Sequence, residues 1–310
     1  MKYISTIGMS KKEWLEERKL GIGGSDVGAI CQVNPFSSRL DVWREKTEEG
    51  LTEIPDNKFM YWGRKGEQNI AERFAEDSGL KVEKSNKIYS HDDLPHMKGN
   101  VDRLILGHER GVGILECKTT DKFAFKYWEE DGVPKMYEYQ LQHYLFVTGY
   151  EWGVIAVLAG GNDYHEYLYE FDGLVAGANA TACSDFWFNY VTTKTQPEPL
   201  TAEDLGKVFP VHEPGKLIDP SDITIGVIEE YKKYREEEKL AKEKKEKIKL
   251  QLLRVLGDAE GIGVEGQLLC TYKNPKARMR FDEKGFKDMY PDLHSEHSKE
   301  VLGGRRMNVR

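Results

Sequence analysis

Hydrophobic positions along this chain change period repeatedly, and the changes divide it. Residues 10–79 read as helices. Ser10 with Glu13 fits a capping box, with Met9 and Trp14 as the accompanying apolar staple, and Gly21 is a plausible stop. The glycine-rich turn GIGGSDVGAI then enters a short helix near Ser25, which the sequence places at its N-cap. A further helix is expected over 63–79, with Ile70, Ala71, Phe74 and Ala75 as its apolar stripe and Gly79 as its end. From residue 81 the period shortens. VEKSNKIYSH reads as one strand, and MKGNVDRLILG and VGILECKT read as a hairpin around GHERG. KMYEYQLQHYLFVT, residues 135–148, returns to a helical period. Two strands follow, WGVIAVLAGG and DYHEYLYEFD, then a helix over 173–191. This order predicts an α/β or α+β domain with a mixed sheet flanked by helices.

The last change comes after TKTQPEPLTAED and VHEPGKLIDPSD, both rich in proline and acids. The domain expected over 1–200 gives way to a linker at 201–221 and then to a charged segment, 222–310. Residues 222–256 predict one long helical arm whose acids and lysines pair at i,i+4. The tail beyond Thr271 is locally basic.

Within the hairpin, GILECKTT carries an acid and an amine on one face. Strand side chains alternate, so Ile114, Glu116 and Lys118 share a face, and Leu115 and Cys117 share the other. A charge leaving water costs several kcal/mol unless paired or ligated. Asp102, read on the preceding strand, lies within reach of an ion shared with Glu116. All-oxygen ligation suits Mg²⁺, with Mn²⁺ as a substitute. A metal-polarised water beside the Lys118 ammonium is equipment for phosphodiester hydrolysis. Glu67, in the 63–79 helix, is a candidate third carboxylate. Tyr137, Gln140, Gln142 and Tyr144 open the helix after the strands, where an amide can hold a water or a phosphate oxygen. Arg18 and Ser25 make a candidate anion site beside GIGGSD. Each piece alone also reads blandly, as a solvated Glu–Lys pair or a plain capped turn.

The 310 residues carry a net charge of −8. That argues mildly against a general nucleic-acid coat and leaves room for an acidic metal site beside a basic groove. No apolar run is long enough for a bilayer span, and no signal-peptide core stands at the start. Cys31, Cys117, Cys183 and Cys270 are dispersed, which suggests reduced thiols in the cytosol.

Taken in order, R-x-x-GIGGSD (Arg18 to Asp26), NPF with Trp43, G-x-x-x-E (Gly63 to Glu67), GNVDR, LECKTT and Y-x-x-Q-x-Q-x-Y (Tyr137 to Tyr144) resemble the YqaJ-type viral recombinases. These are relatives of phage lambda exonuclease in the PD-(D/E)XK nuclease superfamily, and the resemblance covers roughly residues 10 to 190. Val101 stands where the name-giving proline would be. The resemblance implies a restriction-endonuclease-like core and a Mg²⁺-dependent 5′-to-3′ exonuclease on linear double-stranded DNA, which leaves 3′ overhangs for single-strand annealing. It implies Asp102, Glu116 and Glu67 at the metal, Lys118 and Gln140 in catalysis, and Arg18 and Ser25 on the 5′ phosphate. It further implies a ring trimer, a single-strand annealing protein as partner, and a phage or prophage protein in the bacterial cytoplasm. Two alternatives are an iron–sulfur nuclease of the Cas4 or AddB kind, against which the scattered cysteines speak, and a non-catalytic DNA-end-binding scaffold. A third is that the arm makes the chain chiefly a protein-interaction module.

Overall fold

The computed structural model describes residues 1–48, 57–300 and 303–309. It divides into two compact units, Met1–Val208 and Phe209–Arg310.

The first unit contains, in chain order, β1 (Lys2–Ser5), α1 (Lys11–Lys19), α2 (Gly24–Ile30), α3 (Arg39–Thr47), α4 (Lys58–Ser78), β2 (Lys81–Lys84), β3 (Lys87–Ser90), β4 (Lys98–Gly99), β5 (Arg103–Leu106), β6 (Gly113–Thr120), α5 (Lys122–Asp131), α6 (Lys135–Thr148), β7 (Trp152–Ala159), β8 (Asp163–Glu170), α7 (Gly173–Phe186) with a π-helical turn at Trp187–Val191, and α8 (Ala202–Val208). The main sheet runs β2-β5-β6-β7-β8. Its β6–β7 pair is parallel and the other pairs antiparallel, so the sheet is mixed as expected. A second sheet has the order β1-β3-β4.

The central strands are covered on both faces. One face of β6 buries Ile114 in a core that includes Leu141 and Leu145 of α6 and Ile155 and Val157 of β7. The other buries Leu115 and Cys117 against Ile70, Ala71 and Phe74 of α4. Double coverage explains why β7 reads WGVIAVLA, nearly all apolar, while β8 keeps the alternation of a half-exposed edge. α4 lies close on β6: a Cβ at Gly66 would stand 2.8 Å from the Thr119 methyl.

Several elements depart from the sequence reading. α4 starts five residues early, because the Asn57 side chain accepts from the amides of Phe59 and Met60 and caps it there. The aromatic run FMYW within that first turn is largely exposed and carries no helical stripe to read. VEKSNKIYSH is two strands. Asn86, at φ 48°, turns the chain between them, and the halves join different sheets. α5 was not foreseen, although Asp121 caps it through the amides of Phe123 and Ala124. α8 lies in the expected linker and is tied back to α3 through Lys207–Asp41 at 2.7 Å and Ser38–Asp204 at 2.6 Å.

The second unit holds α9 (Asp222–Leu256), the hairpin β9 (Gly261–Val264) and β10 (Gln267–Thr271), and short helices α10 (Glu283–Met289) and α11 (Pro291–Glu296). The arm is thus a single helix of 35 residues. The hairpin turn uses two left-handed residues, Glu265 at φ 50° and Gly266 at φ 82°, as a tight two-residue connection requires. Among the described residues, no helix is long and apolar enough to cross a membrane.

α6 is tied to the small sheet by His143, whose Nε2 lies 2.7 Å from the Lys98 carbonyl. Burial pushes its pKa down to about 4. The unfolded chain binds that proton near pH ~6.5, so stability is full above pH ~6.5 and falls by about 3 kcal/mol toward pH ~4. Denaturant midpoints measured from pH 7 to pH 5 should fall, and His143→Gln should flatten that fall. An equal fall in the variant would assign it to other groups.

Candidate active site

The site forms where β6 outlasts β5. The antiparallel register ends at Arg103↔Leu115, and the chain leaves the sheet there. Asp102 is therefore in a bend just outside β5, and not on the strand as the sequence reading had it. Its carboxylate takes over the role of the missing ladder, because Oδ2 accepts from the Cys117 amide at 3.1 Å. That contact fixes Asp102 beside the Glu116 side of β6.

Glu116 is 2 % exposed. Its Oε1 accepts from Lys118 Nζ at 2.7 Å and from Gln140 Nε2 at 2.7 Å. Its Oε2 is buried with no hydrogen-bond partner. Gln140 closes the triangle, since its Oε1 accepts from Lys118 Nζ at 2.9 Å. Lys118 Nζ also stands 4.5 Å from the Tyr137 ring centroid, a cation–π contact. One turn on, the Tyr144 hydroxyl lies 3.1 Å from Gln140 Nε2. The spacing Tyr137, Gln140, Tyr144 sets all three on one face of α6 toward β6.

The electrostatics are those of negative charge held out of water. Burial, and then Asp102, pushes Glu116 up to about 8. Burial and Asp102 raise Glu67 as well, and burial raises Asp102. For Lys118, burial favours the neutral amine, but Glu116 and Asp102 outweigh it and hold the ammonium. Glu67 is paired with Arg103, its Oε2 3.8 Å from Nη1. Among the described residues, no three His, Cys, Asp or Glu side chains enclose a common point as an ion's shell would. The donor set still fits a hard divalent cation. It is all oxygen, it repels itself, and one buried carboxylate oxygen has nothing to bind.

Next to this cluster is a cleft of about 130 Å³ whose walls include Trp14, Arg18, Ser25, Lys98, Asp102 and Tyr144. Tyr144 thus belongs to both places. Its ring lies where a Cβ at Gly24 would be, 2.4 Å away, so only glycine permits this approach. Ser25 is not the N-cap of α2. Gly23 is, and Asp26 reaches back to accept from the Gly23 amide at 2.9 Å. Ser25 sits one residue into the helix, with its Oγ 3.5 Å from Arg18 Nη2.

Arg18 is held by Asp26 at 3.6 Å and Glu45 at 3.3 Å. Asp26 in turn is buried against Lys46 at 2.8 Å, and the Lys46 side chain is fully enclosed. Burial raises the Asp26 carboxyl, but Lys46 and then Arg18 pull it net below its ordinary range. The sequence reading named neither Asp26 nor Lys46 as a site residue. A signal existed: Lys46 follows Val42 by four in α3, a core-face position occupied by a charge. Lys98, which pairs with Glu17 at 3.0 Å and lines the cleft, was also missed and has no such signal. Gln142 turns away from the site and ties α6 to the end of β8, through the Glu170 carbonyl and the Asp172 amide.

Residues 13–151 match the model of the YqaJ-like viral recombinase domain. The protein YqaJ of Bacillus subtilis (strain 168) is 32% identical over 299 residues, covering 94% of this chain and 92% of that protein. Among solved structures, an alkaline exonuclease from Laribacter hongkongensis superposes with a TM-score of 0.50 at 19% identity, over 60% of this chain and 94% of that one. The same enzyme in complex with dAMP gives 0.50 over 64% and 97%. At this identity the two structures speak for a shared fold. The ordered motifs, the mixed sheet and the relative matched along nearly its whole length place this chain in the family of YqaJ-like viral recombinases.

Proposed function

We propose that this protein is a divalent-metal-dependent deoxyribonuclease that digests linear duplex DNA from 5′ ends and leaves a 3′ single strand. The observation that carries the reading is the buried, unpartnered Oε2 of Glu116, beside Asp102 and Lys118 and at the edge of a cleft lined by Arg18 and Lys98. The alkaline exonuclease of the same fold, one of whose structures contains dAMP, supports a nucleotide substrate.

Asp102 and Glu116 would hold the ion, Mg²⁺ or Mn²⁺, with Glu67 as an outer carboxylate. When bound, such an ion polarises water and neutralises phosphate charge. The chain's own residues set the rest. Lys118, kept as an ammonium, acts as a fixed positive charge for the phosphate and an orienting donor, not as a base. Gln140 holds Glu116 and Lys118 at once, so neither side chain swings when DNA enters. Arg18 and Ser25 would take the terminal 5′ phosphate, with Lys98 adding charge from the other wall. A single-strand annealing protein as partner and a ring-shaped oligomer belong to the same proposal and rest on the resemblance.

Duplexes labelled at the 5′ or the 3′ end and incubated with Mg²⁺ distinguish the possibilities. Early loss of the 5′ label as mononucleotide, with the 3′ label retained on a shortening strand, is the expected pattern, and closed circular duplex should persist. Lys118→Ala should lower the rate by about 10³-fold or more, a typical cost for an electrostatic catalytic group, while duplex binding stays within a few fold. Loss of circular and linear duplex at one rate, or a fully active Lys118→Ala, would overturn the reading.

Substrates that differ only in a 5′ phosphate or a 5′ hydroxyl test the cleft. Arg18→Ala should shrink the preference for phosphorylated ends by about tenfold, the worth of one charge-assisted contact. Ser25→Ala should shrink it less. An unchanged preference in both variants would remove them from the end-binding site.

A further inference from the structure

The basic tail lies outside the site just described, and its residues form a surface of their own. Between Tyr272 and Lys287 stand six basic residues and two acidic ones, in a chain whose net charge is −8. A groove of about 870 Å³ is lined by Arg280, Phe281, Asp282, Glu283, Lys284 and Lys287. Of its two acids, Asp282 is turned to the backbone, where its Oδ1 accepts from the Gly285 amide and caps α10, and Glu283 is an exposed carboxylate that, together with Asp282, is outnumbered by the three cations of the groove. Lys273 is paired with Glu260. Arg278, Arg280, Lys284 and Lys287 form no ion pair among the described residues, so this charge is open to an outside anion.

The same groove carries aromatic surface. Phe281 is 68% exposed. Phe281 and Phe286 have ring centroids 5.1 Å apart, and Phe286 and Tyr290 are 5.4 Å apart. Cations alone would suit any polyanion. Cations alternating with an exposed ring suit a polyanion that also presents flat apolar faces, and unpaired bases do so. Bases in a duplex are stacked on one another and cannot lie on Phe281.

We infer that this groove of the second unit binds single-stranded nucleic acid, with phosphates on Arg280, Lys284 and Lys287 and a base on Phe281. Such binding stands apart from the nuclease reading. If that reading holds, the natural ligand is the strand that digestion leaves unpaired.

The test uses the full chain in EDTA, so that no hydrolysis intervenes, with a fluorescent oligothymidylate of 20 bases and a duplex of equal length, across a salt series. Combined Arg280→Ala, Lys284→Ala and Lys287→Ala should weaken oligothymidylate binding at least tenfold and reduce the log–log salt slope by about 2, as loss of three phosphate contacts requires. Phe281→Ala should weaken it about fivefold or more with the slope unchanged, because stacking releases no counterions. All these side chains are on the surface, so thermal melts should match wild type. An unaltered affinity in both variants would overturn the inference. So would an effect of the triple variant equal on duplex and single strand with none from Phe281→Ala, or polyglutamate competing as well as oligothymidylate. Because the assay reads binding without metal, its failure leaves the nuclease proposal standing, and failure of the nuclease assays leaves this one standing.

Discussion

A carboxylate buried with one oxygen unsatisfied is the constraint around which the first unit is organised. Glu116 is 2 % exposed, its Oε1 holds both Lys118 and Gln140, and its Oε2 holds nothing. A buried polar atom with no partner costs roughly 1–3 kcal/mol, more when charged. A domain stabilised by only about 5–15 kcal/mol retains such a cost where the atom has work to do. The neighbours increase the cost. Burial is the larger cause of the raised pKa of Glu116 and Glu67, and repulsion from Asp102 adds to it. A divalent cation between Asp102 and Glu116 would relieve most of this, and the ammonium of Lys118 relieves part of it without one.

The fold delivers this arrangement by a mismatch in strand length. Had β5 continued, the Cys117 amide would have met a backbone carbonyl. It meets Asp102 instead, which brings the second carboxylate to β6. The apolar face of β6 is locked to α4, and α4 carries Glu67. The charged face meets α6, where Tyr137, Gln140 and Tyr144 recur at helical spacing. Tyr144 then reaches under Gly24 into the cleft of Arg18 and Ser25. Two local solutions, a carboxylate cluster and a basic cleft, thus share Tyr144 and Asp102.

Much of this was legible in the sequence, for definable reasons. The capping box at Ser10 and Glu13 forms as the four-residue pattern demands, and Gly79 and Gly149 end their helices in the left-handed conformation. The helical period over 135–148 and the face alternation of GILECKTT depend on period alone, and both stand, although α6 is buried on more than one side. The failures have local causes. Asn86 breaks a run that looks continuous, because left-handed backbone leaves no trace in a hydropathy pattern. Ser25 is not the cap because α2 begins two residues before the Ser25 reading allows: Gly23 takes the N-cap position, and Asp26 reaches back to accept from its amide. The β9–β10 hairpin escaped notice since Glu265–Gly266 is a weaker turn signal than Asn-Gly, and its strands have little buried surface. Asp102 was identified as a residue but set on the wrong element, because sequence gives no measure of where a strand partner stops.

Whether Glu116 and Asp102 together seat a divalent cation is decided by thermal melting with added Mn²⁺ or Mg²⁺ at fixed ionic strength. A ligand at ten times its Kd adds about 1.4 kcal/mol of stability to the native state. Wild-type protein should melt higher as the cation is raised, and Glu116→Gln, which removes the charge and keeps the shape, should not respond, whatever midpoint it starts from once Lys118 has lost its charged partner. An equal rise in both proteins, or none in wild type at millimolar cation, would contradict it.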